Sequence, residues 1–449
     1  MPVAKTNRAI IAVNRFGLGA SGRELSDAKN NPEQWLLKQL VSPVFDRRLG
    51  NTESAFKVIA DLKVFKQQRL QSKMKGPSVG KVIIKPFLES LLIDSLRQSV
   101  QTTTPFAMRL LDFFSNHFSV SASNQFLSIL APMLERDAIA PNLFGKFSDL
   151  LIAVEQHPAM LVYLNNEKSA GPNSPRGKKL RGLNENLARE IFELHTLGID
   201  GGYRLDDISQ LALAISGWSV TNENDLDSAG FKFREKNHEP GIRNILGKSY
   251  AGNDVTQGQA VLRDLARHKK TAEFVSYKLA QHLISDKPPK ELVSTMVDTW
   301  IKTDGNIKAV VTSLVKHPQS WDAQAQKFKT PREFVVSACR AVNVSKFFDE
   351  GLLEIALRGL GFMGQKPFGA GSPAGYSQLN RAWVGSDALM KRIDWVNLLS
   401  KRTRQIAPIV AERIFDSQIS PLTVKSLAGA ESRVQGLALL LLSPEFQRR

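Results

Sequence analysis

The chain has 449 residues, 42% hydrophobic and 23% charged, with 60 Lys+Arg against 43 Asp+Glu and a net charge of +17. Such a composition fills a large core and excludes a chain disordered throughout. A single cysteine, Cys339, excludes an intramolecular disulfide and any zinc site built on several thiolates.

The first apolar run, Ala9 to Val13, is interrupted by Asn14 and Arg15. It falls short of a secretory signal core, and no small-residue cleavage site follows, so the sequence alone places the chain in the cytoplasm. No stretch approaches the roughly 20 apolar residues of a membrane span. From residue 32 onward the dominant period is helical. Pro32 stands where its missing N–H is tolerated, with Trp35, Leu36 and Leu40 along one face. Leu88, Leu91, Leu92, Ser95 and Leu96 repeat the pattern within 87–100, and Phe106, Leu110, Phe113 and Phe114 within 105–118. It recurs at 206–217, 257–267, 271–285, 291–302, 307–316, 331–342, 352–360 and 434–442. The expected fold class is all-α, a large multi-helical globular array with long Gly/Pro-rich loops.

Two such loops break the pattern, 165–182 and 364–385, the second with Tyr376 and Trp383 as anchors. With a polar stretch at 221–241 they suggest an N-terminal helical region over 1–164, a central region over 165–241 and a C-terminal helical region over 242–449. No fixed-period repeat is present, which disfavours a solenoid. Basic residues crowd 57–109, with little acid to offset 63–85, and also 176–181. Phe65 is the only aromatic within 63–85, and no nucleic-acid reading motif accompanies these residues. The expectation is therefore a basic outer surface open to polyanions rather than a nucleic-acid reader.

The densest polar chemistry lies in 184–203. Asn184 suits a helix N-cap, Glu185 the positive end of the helix dipole, and Gly198 a left-handed helix end. On an ideal helix Leu187, Ile191 and Leu194 form an apolar stripe, and Asn186, Glu190 and Glu193 a polar one. Arg189 stands four residues from both Glu185 and Glu193 and bridges them. Glu190 and His195 are five residues apart, about 140° around an α-helix, so they converge only if the last turn departs from α geometry. Asn116 and His117 end the apolar helix at 105–118, where a histidine tends to be buried. His238 lies in an Asn-His-Glu-Pro-Gly loop, and His157, His268, His282 and His317 read as structural. Phosphate-binding, zinc-protease, serine-hydrolase and dinucleotide templates are absent. Cys339 sits on an apolar helical face and reads as a buried, inert thiol.

These pieces resemble, in order, the bacterial family of domain of unknown function 1800. The likeness runs through Ala12-Val13-Asn14-Arg15-Phe16-Gly17-Leu18-Gly19, then Asn116-His117-Phe118, where the family's Trp-His is replaced by Phe114-Ser115. It continues with Pro158-Ala159-Met160-Leu161-Val162-Tyr163-Leu164 and with the most specific motif, Asn184 to Tyr203. Ser216-Gly217-Trp218, His238-Glu239, Lys278-Leu279, Gly375-Tyr376 and the closing Leu442-Ser443-Pro444-Glu445-Phe446 complete it. The resemblance implies one family domain of unsettled activity. It also implies an envelope or periplasmic setting and a sulfatase-like exported protein encoded nearby as a partner.

Three readings follow. In the first the chain is an enzyme, with Glu190 as general base and His117 and His195 as proton carriers. His117, Glu190, His195 and His238 would then be the candidate ligands of a first-row divalent metal. In the second it is a non-catalytic scaffold or maturation partner. Asn116, Asn184, Asn186, Arg189, Glu193 and Trp218 then join the same residues in a hydrogen-bond network. In the third it binds polyanions through 63–85 and 176–181.

Overall fold

Helix starts are set by side chains that satisfy the first free N–H groups. Asn31 Oδ1 accepts from the Gln34 N–H at 2.9 Å ahead of Pro32–Leu37, and Thr330 and Glu333 close a capping box on Pro331–Ala341. His157, His268 and His317 do the same with Nδ1, accepting from the N–H two residues on. The computed structural model describes residues 5–46, 49–72, 80–178, 182–221, 230–322, 327–342, 350–416 and 418–449, and these are predominantly helical. The helices found include Lys85–Gln101, Pro105–His117, Val255–Arg267, Lys269–Leu283, Lys290–Lys302 and Ile307–Lys316, all close to the expected bounds. None is long and apolar enough to cross a membrane.

Helix Pro105–His117 is the spine. It is apolar nearly all round, and such a helix must be covered on every side. Phe106 meets Phe16 edge-on at 5.6 Å, and Phe113 meets Phe114 at 4.9 Å. A continuous hydrophobic cluster joins residues from Ala9 to Phe446 through this helix, crossing all three sequence regions. Val255–Arg267 packs on Phe147–Glu155, and Lys269–Leu283 on Lys290–Lys302.

The basic excess is not confined to the outer surface, as its placement in the sequence suggested. Arg15, Arg109, Arg136, Arg340, Arg392 and Arg449 are buried. Arg340 donates to the carbonyls of Gly19 at 3.0 Å and Val100 at 2.8 Å and pairs with Glu24. A guanidinium has five donors in a fixed fork, so one side chain can satisfy several chain ends at once.

Two antiparallel ribbons are the only strands among the described residues. The first pairs β1 (Trp218–Val220) with β2 (Phe231–Phe233), and the second β3 (Arg243–Ile245) with β4 (Lys248–Tyr250). Leu246 and Gly247 join the second pair with positive φ at both positions, the geometry of a type I′ turn. Three-residue strands are too short to show a period of two, so the sequence reads them as loop.

Candidate functional site

The segment 184–198 starts as expected and then departs from α geometry. Asn184 Oδ1 accepts the Asn186 N–H at 2.9 Å, while its Nδ2 donates to the carbonyls of Leu164 and Asn165. Arg189 stands 3.8 Å from Glu185 and 3.5 Å from Glu193, a half-exposed bridge of the predicted kind, with little effect on stability. After the α-helix Asn186–Glu190, the chain continues as a π-helix over Ile191–His195. Hydrogen bonds in a π-helix close five residues apart, which narrows the separation of Glu190 from His195. Burial pushes the Glu190 carboxyl up from its ordinary value, and His195 pulls it back down. Thr196 Oγ1 donates to the Ile191 carbonyl at 2.6 Å, and Gly198 ends the segment at φ +82°.

His195 is 1% exposed, and its Nδ1 lies 2.8 Å from Oε1 of Glu155, which is fully buried. His117, 2% exposed, brings its Nε2 to 3.1 Å from the His195 backbone carbonyl. A carbonyl only accepts, so Nε2 carries the proton and Nδ1 the lone pair. Lys278 Nζ donates to that Nδ1 at 3.0 Å. Burial, Lys278 and His195 together hold the His117 imidazole well below its ordinary value, and burial lowers the Lys278 amine to about 8. The result is a buried chain of contacts, Glu155–His195–His117–Lys278, packed among Phe113, Phe118 and Phe274, with the second Glu155 oxygen left without a hydrogen bond.

The other predicted residues scatter. Asn184 and Asn186 border an open surface groove with Asn165, Lys168 and Glu185. Trp218 is buried on β1, with Gly258 packed close beneath its ring. His238 donates from Nδ1 to the Ser216 carbonyl at 2.8 Å, and burial lowers its pKa. Its neighbour Glu239 anchors the chain at Asn173, accepting from its N at 2.8 Å and its Nδ2 at 2.6 Å. Among the described residues, no three His, Cys, Asp or Glu side chains are grouped to hold a metal ion, and His117, Glu190, His195 and His238 make no such set. Of the basic stretches, 73–79 and 179–181 lie outside the described residues.

Asn116 takes part in a different construction on the other face of the spine helix. Its Oδ1 accepts from Tyr376 N at 2.8 Å, and its Nδ2 donates to the Tyr376 carbonyl at 2.9 Å. Gly375 is at φ +74°, and a Cβ there would collide with the Asn116 carbonyl oxygen. Tyr376 in turn donates its hydroxyl to the Lys366 carbonyl at 2.7 Å, and Trp383 Nε1 donates to the Ser377 carbonyl at 3.0 Å. The 364–385 loop is thereby pinned as a wall.

Behind that wall is a cavity of about 100 Å³. Leu92, Val120, Leu360, Pro367 and Phe368 supply its apolar lining, and Asp112, Ser115, Asn116, Glu135 and Arg332 its polar groups. Arg332 Nε donates to Asp112 Oδ1 at 2.8 Å, and Ser115 Oγ donates to Glu135 Oε2 at 2.8 Å. Burial pushes both carboxyls up, while Arg332 pulls each back.

Sequence reasoning found Asn116 and missed Asp112, Glu135 and Arg332. It found His117 and His195 and missed Glu155. Lys278 stood in a shared Lys-Leu pair without a role. The available signal was a lone carboxylate inside an apolar helix, as in Leu110-Leu111-Asp112-Phe113 and at Glu155 after Ile152-Ala153-Val154.

The model of the family described as "Protein of unknown function (DUF1800)" matches residues 11–448. No curated protein and no solved structure matches the chain.

Proposed function

The chain belongs to that DUF1800 family over essentially its whole length, and we propose that it is an acid–base enzyme acting on a small molecule in the cavity beside Asp112, Glu135 and Arg332. One observation carries the reading. Two carboxyls border the same cavity, and burial raises both above their ordinary values. A group that gives and takes protons near neutral pH needs such a shift, and a pocket with an apolar lining and few polar groups is the usual setting. Glu135, held by Ser115, serves as the proton donor. Asp112, paired with Arg332, serves as the acceptor. Asn116 positions the wall through Tyr376.

The test needs no known substrate. A water-soluble carbodiimide with a small amine activates protonated carboxyls. At about pH 7, where carboxyls of ordinary pKa have ceased to react, mass spectrometry should find modification at Glu135 or Asp112. Labelling that follows exposure alone, and leaves both residues untouched, removes the reading.

A second reading is favoured by the burial of the Glu155–His195–His117–Lys278 chain, which borders none of the cavities described. The most specific family motif then builds structure, and the protein acts as a scaffold or maturation partner for a sulfatase-like exported protein. Co-purification of the two proteins, unaffected by Glu135→Gln, separates this reading from the first.

A further inference from the structure

A second recess of about 40 Å³ adjoins the cavity, sharing Asp112, Asn116 and Arg332 with it and adding His282, Glu333 and Gln378. At roughly 10–15 Å³ per water, the recess has room for about three waters, or for the polar end of a ligand.

His282 gives the recess its chemistry. It is buried at the end of helix Lys269–Leu283, with its ring 5.5 Å from Phe113. Its Nδ1 lies 2.6 Å from Oε1 of Gln378, an amide oxygen that only accepts. Nδ1 therefore holds the proton, and Nε2 presents a lone pair. That Nε2 is buried and has no hydrogen-bond partner. An unmet buried acceptor is costly unless something donates to it.

The ionised groups around the recess already pair with one another, with arginine in excess. Asp112 holds Arg332, and Glu333 accepts from Arg109 at 2.5 Å and from Arg449 at 2.6 Å. The same arginines hold the Glu333 carboxyl below its ordinary range although burial alone would raise it. An anionic ligand brings no donor for that Nε2, and a cationic one would add to the arginine charge already gathered there. A hydroxyl fits, because it donates to the imidazole and stays neutral.

We infer that the recess is the polar end of a binding site for an uncharged, hydroxyl-bearing small molecule, one hydroxyl of which donates to Nε2 of His282. The inference rests on the cavity being the working site and names the class of molecule it takes.

The full chain, labelled with 15N-histidine, is titrated with erythritol and with erythritol tetramethyl ether, which keeps the skeleton and loses every donor. The His282 resonance is assigned through its contact with the Phe113 ring. Its Nε2 signal should shift saturably with erythritol and stay in place with the ether. In His282→Phe, erythritol binding should weaken about tenfold, the effect of losing one hydrogen bond to a buried acceptor. The wild-type comparison of the two probes stands even if that variant does not fold. Equal shifts with both probes, or none with erythritol, overturn the inference. If erythritol protects Glu135 from carbodiimide while His282 stays unmoved, the cavity reading survives and the His282 assignment falls.

Discussion

Nδ1 of His195 lies 2.8 Å from a Glu155 carboxylate oxygen, and neither side chain reaches solvent. The pair joins helix Phe147–Glu155 to the π-helix of the family motif. Removing one partner of a buried pair strands the other, at a cost of about 3–5 kcal/mol. Glu155→Ala and His195→Ala should each destabilise by that order in urea unfolding. The double variant should cost clearly less than the two combined. Additive losses would mean that the two groups are not coupled.

Gly375→Ala should destabilise by about 1–3 kcal/mol. It places a Cβ against the Asn116 carbonyl at a backbone conformation that L residues rarely adopt. Since the same contact pins the cavity wall, limited proteolysis should cut within 364–385 sooner than in the native chain. Asn116→Ala should produce the same cleavage, and combining the two should add little.

His157 and His282 are buried, and their pKa values are lowered from 6.5 to about 3, first by burial. The unfolded chain then binds more protons than the folded one below about pH 6.5. Stability from these groups is complete above that pH and falls by about 1.4 kcal/mol per pH unit for each histidine as the solution is acidified towards 3. His157→Asn cannot titrate, and asparagine can still accept the Ala159 N–H. Between pH 7 and pH 5 its urea midpoint should fall less than that of the wild type. An identical pH profile would show that His157 titrates normally.

Cys339 is buried on helix Pro331–Ala341, and burial pushes its thiol up to about 12. A disulfide reagent at pH 8 should leave it unmodified in the native protein and titrate one thiol in urea. Rapid reaction under native conditions would contradict this burial.

The all-α class, the main helix bounds and the Arg189 bridges were legible in the sequence, because they follow from local spacing of 3.6 residues and from capping residues. The place of His117 and His195 in the interior was legible for the same reason, as polar residues at the ends of apolar stretches. Their partners were not. Glu155 lies 40 positions before His195, and Lys278 lies 161 after His117. No local period connects residues so far apart. The π-helix that brings Glu190 round towards His195 adds one residue to a turn, which a pattern read at 3.6 places on the wrong face.

By itself, then, the sequence determined which segments are helices, that they form one family's chain, and which polar residues stand out against apolar surroundings. Tertiary structure decided which of those residues share a space. The spine helix turns His117 into a buried chain, and it turns Asp112 and Asn116 to the cavity on its other side. Adjacent residues on a helix point about 100° apart, so neighbours in sequence serve different sites. The cavity exists because Arg332 and the Asn116-pinned loop, more than 200 residues downstream, close over that second face.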